Sequence, residues 1–274
     1  MIWGEIINHK SQIKNNLAET TMCYDVNALP PEPPGEKRNA TGRDIVLTAT
    51  DGVPFNAYLA EPTDGFDAQV LIYPDIRGLH QFYKELAMRF AEVGVRALAI
   101  DYFGRTAGLT ARDDSFDFMP HVQQMTMPTF YADVDAALAH LQNDSDAATF
   151  VLGFCRGGTL TLYTGSQNFK LAGLIPFYAG LARQMPGADG TALEEARKIH
   201  YPVLGLFGGD DPGIPREQVE QLDAELDKAG VAHTIKIYDG APHSFFDRKY
   251  TEFANESADA WRRVLGFIGR ETGD

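Results

Sequence analysis

The chain has 274 residues, 44% hydrophobic and 23% charged, which suits one large α/β domain with a sizeable core. Its formal net charge of −14 leaves no basic stripe to meet phosphates, so a nucleic-acid partner is not expected, and no apolar run approaches a membrane span. Two cysteines, Cys23 and Cys155, allow at most one disulfide, and a reducing, cytoplasmic setting is expected.

Residues 1–21 are weakly patterned, with Ile2, Ile6, Ile7 and Ile13 spaced for a short helix and no charged-then-apolar signal pattern. Met22 offers an alternative start that would make them an extension. The prolines from Pro30 to Pro34 forbid helix and central strand, so an extended arm packed on the surface is expected. The division expected is an arm over 1–44 and one domain over 45–274. Ile45–Thr50 and Pro54–Ala60 flank Asp51-Gly52 and predict a hairpin. Val70–Tyr73 reads as a buried strand ending at Pro74-Asp75-Ile76-Arg77-Gly78, and Phe82–Val93 has helical spacing that Gly94 stops. Val95–Ile100 is the next strand, ending in Asp101-Tyr102-Phe103-Gly104-Arg105. Residues 106–127 are irregular, carry Asp113, Asp114 and Asp117, and are expected to form an insertion or lid. A helix follows over Pro128–Leu141 with proline at its start.

The next stretch is the most informative. Thr149–Leu152 reads as a buried strand, ends in Gly153-Phe154-Cys155-Arg156-Gly157-Gly158, and leads into a helix over Thr159–Thr164. Strand, sharp glycine-flanked turn and helix make a nucleophile elbow with Cys155 at the apex. The helix N-terminus favours an anion there and offers an N–H to a developing oxyanion. A buried, inert cysteine is the bland alternative for an isolated thiol. Leu171–Tyr178 and Pro202–Phe207 are further strands, separated by a polar loop over 181–200 with a short helical piece from Ala192 to Ile199. A helix over Pro215–Ala229 ends at Gly230, Ala232–Tyr238 alternates like a strand, and Tyr250–Ile268 is an amphipathic helix. Alternating strands and helices imply a doubly wound, mostly parallel sheet, with the site at the C-terminal strand ends. Asp75, Arg105, Cys155, Asp211 and His243 all fall there.

A thiol nucleophile needs a base and a group to orient it. Of seven histidines, His9 lies in the leader, His140 and His233 sit in or beside regular elements, and His200 is at the wrong strand end. Among His80, His121 and His243, the last lies between the final strand and the final helix, where an α/β-hydrolase places its base; His80 is the fallback. Asp210 and Asp211 both follow an earlier strand, and residue chemistry alone does not choose between them. Asp75 reads either as an N-cap of the next helix or as a control on the thiol's protonation.

Gly153-Phe154-Cys155-Arg156-Gly157-Gly158, Asp211-Pro212-Gly213-Ile214-Pro215 and Ala241-Pro242-His243-Ser244-Phe245 together resemble the dienelactone hydrolase (carboxymethylenebutenolidase) family, from about Ile45 to the C-terminus. The resemblance implies an α/β-hydrolase fold and a triad of Cys155, His243 and Asp211, the aspartate being chosen by the family's Asp-x-x-Ile/Val-Pro spacing. It implies an acidic residue after the strand ending at Pro74, glutamate in the family and Asp75 here. It implies that Arg105 binds a substrate carboxylate. The family's second such arginine is replaced by Asp247, with Arg248 one place later, and Arg77 is expected to supply the missing charge. Tyr102 and Tyr178, at the same strand ends, complete the expected substrate-binding set. The backbone N–H groups of Ile76 and Arg156 are the expected oxyanion hole. The expected substrate is a small ester or lactone cleaved through a thioester, with no cofactor and no metal, since no Cys/His cluster has zinc spacing. A broad carboxylesterase or thioesterase on the same residues, and a redox-sensing cysteine without turnover, are the rival readings.

Overall fold

The computed structural model describes residues 28–272. The helix expected within 1–21, Met22, His9 and Cys23 lie outside the described residues. Eight strands form one sheet in the order β1-β2-β4-β3-β5-β6-β7-β8. β1 (Ala40–Thr48) and β2 (Pro54–Pro62) are the expected hairpin, and β2 also pairs antiparallel with β4 (Val95–Ile100). β3 (Ala68–Tyr73), β5 (Ala148–Phe154), β6 (Gly173–Phe177), β7 (Val203–Gly208) and β8 (His233–Tyr238) continue the sheet in parallel.

Every residue of β3, β4, β6 and β7 is buried, the signature of parallel strands covered on both faces. β1 lies at the edge and is mostly exposed. Helix α1 (Gln81–Ala91) packs Phe82, Tyr83, Leu86, Ala87 and Phe90 inward, a stripe at helical spacing. Its N-cap is His80, whose Nδ1 accepts from Phe82 N at 3.4 Å, not Asp75. Asp75 instead closes its own turn, taking the Arg77 N–H at 2.9 Å. Residues 106–127 are not wholly irregular: α2 (Gly104–Ala107) and α3 (Met119–Gln124) are short helices, and α4 (Met127–Gln142) follows.

The elbow helix is α5 (Arg156–Gly165), and α6 (Ala192–Glu195) starts with a capping box between Thr191 and Glu194. α7 (Arg216–Ala229) ends on left-handed Gly230. In α8 (Ala254–Thr272), Ser257, Ala260, Trp261, Val264, Phe267 and Ile268 face the core. The Trp261 indole donates to Pro31 O at 3.0 Å, and Pro30, Pro31 and Pro33 are buried, so the proline arm is part of the packed body. Among the described residues no helix is long and apolar enough to cross a membrane.

Candidate active site

Cys155 sits between β5 and α5 at φ 54°, ψ −112°. A non-glycine residue held there costs on the order of 1–3 kcal/mol, so the surroundings must enforce it. They do so through close backbone approach. A Cβ on Gly153 would run into Gly157 O, and one on Gly157 into the carbonyl oxygens of Tyr73 and Pro74. Cys155 N donates to Phe177 O at 3.1 Å, tying the apex to β6. Among the described non-glycine residues only Cys155, Tyr178 and Ser244 have positive φ, and the last directly follows His243. Backbone strain is thus gathered around one point.

His243 Nδ1 lies 2.5 Å from Asp211 Oδ2, while Asp211 Oδ1 accepts from Gly213 N at 2.8 Å. Asp211 is buried against His243, whereas Asp210 is exposed. His243 shares its pocket with the Cys155 thiol. Burial pulls the imidazolium down, but the hydrogen bonds and charges of Asp211 and Cys155 outweigh it and push His243 up to about 10. The fallback base, His80, is buried against Asp114 at 3.2 Å, and burial lowers its pKa.

The pocket over Cys155 and His243 has a volume of about 420 Å³. Arg156, Leu181, Arg183, Met185, Ile214 and Gln218 help to line it. The four residues expected to bind substrate do not line it. Tyr102 is buried and donates to the carbonyl oxygens of Pro74 and Asp75, bracing the turn that carries Ile76. Tyr178 is buried, donates to Asp247 Oδ2 at 2.8 Å, and packs its ring 4.9 Å from that of His243. Burial, then the charge of Asp247, hold its phenol well above its ordinary pKa, so it stays a donor. Arg77 is buried in the turn after β3. Arg156 starts α5, so its N–H has no intrahelical acceptor.

Arg105 is clasped by two carboxylates. Its guanidinium lies 2.9 Å from Asp133 and 2.5 Å from Asp51. Asp133 is buried, and burial pushes its carboxyl up to about 6 despite the arginine beside it. Arg105→Ala would therefore leave a buried carboxylate uncompensated, at a cost of about 3 kcal/mol. Urea unfolding is expected to show that loss, while kcat/KM of the folded protein changes less than about threefold, within about 0.7 kcal/mol.

Sequence reasoning missed Arg183, Met185 and Gln218. The first two lie in the polar loop after β6, and position after a strand was their only signal. For metals, Asp223, Asp227 and His233 bring ligand atoms within 4.8 Å of one another, but none of them lines the Cys155 pocket.

The profile of the dienelactone hydrolase family matches residues 55–272. A carboxymethylenebutenolidase of Rhodococcus opacus is 31% identical over 261 residues, covering 91% of this chain and 97% of that one. A solved Klebsiella pneumoniae structure, described as a candidate dienelactone hydrolase, superposes with TM-score 0.74 at 24% identity, covering 85% of this chain and 99% of that one. A dienelactone hydrolase-like promiscuous phosphotriesterase from metagenomic libraries gives TM-score 0.70 at 22% identity, covering 84% and 98%. These structural neighbours have the α/β-hydrolase fold.

Proposed function

The chain belongs to the dienelactone hydrolase family, and from that premise we propose that it cleaves a carboxylate-bearing lactone or activated ester through a thioester on Cys155. One observation carries the reading: Cys155 and His243 share one pocket, and His243 is hydrogen-bonded to the buried Asp211, above a strained elbow. The Cys155 thiolate attacks the acyl carbon, forming a C–S bond and a tetrahedral oxyanion. The Arg156 and Ile76 N–H groups hold that oxygen, and one such donor contributes about 3 kcal/mol. The intermediate collapses, the C–O bond breaks, and the leaving oxygen takes the imidazolium proton of His243. Acylation removes the thiolate charge that kept His243 protonated. The neutral ring then takes a proton from water, whose oxygen attacks the thioester. The C–S bond breaks and the thiolate returns. Asp75, directly before Ile76, holds the oxyanion-hole turn through the Arg77 N–H and is assigned no acid or base role. A reducing cytoplasm would keep Cys155 free, as it is here.

A thiolate leaves a tetrahedral intermediate more readily than an alkoxide does. The enzyme should therefore require an enol, aryl or otherwise activated leaving group. The test compares a dienelactone, an activated aryl ester and a simple alkyl ester. The first two should turn over, and the alkyl ester should be at least about 100-fold slower, a barrier difference of about 2.7 kcal/mol. Equal rates on all three would contradict the thioester reading.

A further inference from the structure

In a chain of net charge −14, an anionic substrate is repelled unless cations stand at the site. Two arginines, Arg156 and Arg183, line the pocket that holds Cys155 and His243. Neither makes an ion pair among the described residues. Arg156 directs Nη2 to Val122 O at 3.3 Å and to Met125 Sδ at 3.5 Å, both weak uncharged acceptors. Its buried Nε has no hydrogen-bond partner among the described residues. A guanidinium carries donors in a planar fork that matches a carboxylate, and leaving one buried and unmatched is costly. Burial, with a smaller contribution from the charge of Arg183, lowers the pKa of Arg156, so the two cations feel one another. Arg183 is exposed at the rim. Arg105, by contrast, has its donors occupied by Asp51 and Asp133 and does not line the pocket.

We infer that the substrate carboxylate is gripped by Arg183 and Arg156, from the rim and wall of the Cys155 pocket, and not by Arg105. The preferred substrate class is then a monoanionic lactone or ester whose carboxylate lies on the Arg183 side of the acyl carbon. This rests on Cys155 being the nucleophile.

The experiment measures kcat/KM for a dienelactone and for a neutral activated aryl ester in wild type, Arg183→Gln, Arg183→Lys and Arg105→Gln. The lactone-to-neutral-ester ratio should fall about 10- to 100-fold in Arg183→Gln, as expected for losing a charged hydrogen bond. The loss should sit mainly in KM, and Arg183→Lys should recover part of it. Arg105→Gln should leave the ratio unchanged. A ratio unmoved by Arg183→Gln, or one that falls only in Arg105→Gln, overturns the inference. So does a wild type that ignores the anionic lactone while hydrolysing the neutral ester. Cys155→Ala separates the two claims: if that variant hydrolyses the neutral ester as wild type does, it is the nucleophile reading that fails.

Discussion

Cys155→Ala is expected to reduce turnover of every substrate by at least about 10⁴-fold, because a nucleophile and its base act as one unit. A milder substitution exposes the coupling. In Cys155→Ser the ionisable thiol is replaced by a hydroxyl that donates to the neutral ring and carries no charge to hold the proton, while burial still pulls the imidazolium down. The His243 pKa should therefore fall from about 10 toward its ordinary range, readable by ring-nitrogen NMR. The pH dependence of stability follows from the same shift. The folded value lies above the ordinary 6.5, so protonated His243 stabilises the fold. That contribution is fully present below about 6.5 and is lost as pH rises through 10. Wild type should keep it to higher pH than Cys155→Ser does. An unchanged titration in Cys155→Ser would mean that Asp211 alone holds the proton.

Gly157→Ala should be among the most damaging single methyl additions at the described residues. Its Cβ would meet the carbonyl oxygens of Tyr73 and Pro74, which belong to β3 and the turn after it, not to flexible side chains. Something in the sheet or in α5 must shift, and overpacking of this kind costs about 3 kcal/mol. That corresponds to a Tm fall of about 6–12 °C in a domain of this size. Activity should fall further than stability, since the shift moves Cys155 and the Arg156 N–H together. Gly269→Ala is the matched control. Nothing lies within 4 Å of its Cβ position, and it sits within α8, so it should raise stability slightly through helix propensity. The same Gly→Ala change with effects of opposite sign at the two positions would tie the elbow to backbone contact rather than to glycine content.

The elbow was legible because its signal is local: small residues flank the apex wherever strand and helix must touch. The buried strands were legible for the same reason, as continuous apolar runs. His243 could be chosen by topology, since only one loop histidine separates the last strand from the last helix. What could not be read depends on contacts distant in sequence. Arg105 looks like a free arginine at a strand end until Asp133, 28 residues away, and Asp51, 54 residues away, close on it. The loop carrying Arg183 looks merely polar. Its path is set by a bridge between Gln184 and Thr191 and by the Tyr163 hydroxyl, which donates to Gly190 O at 2.7 Å and accepts from Met185 N at 3.2 Å. Of the two roles open to Asp75, helix cap or control of the thiol, the first falls to His80, which stands directly before the helix.

The most direct measurement is intact-protein and peptide mass spectrometry on enzyme quenched with acid during turnover of an activated aryl ester. The acyl group should appear on the peptide containing Cys155, be labile to hydroxylamine as a thioester is, and be absent from Cys155→Ala. An acyl group on any other residue, or undiminished turnover in Cys155→Ala, would contradict the thioester account.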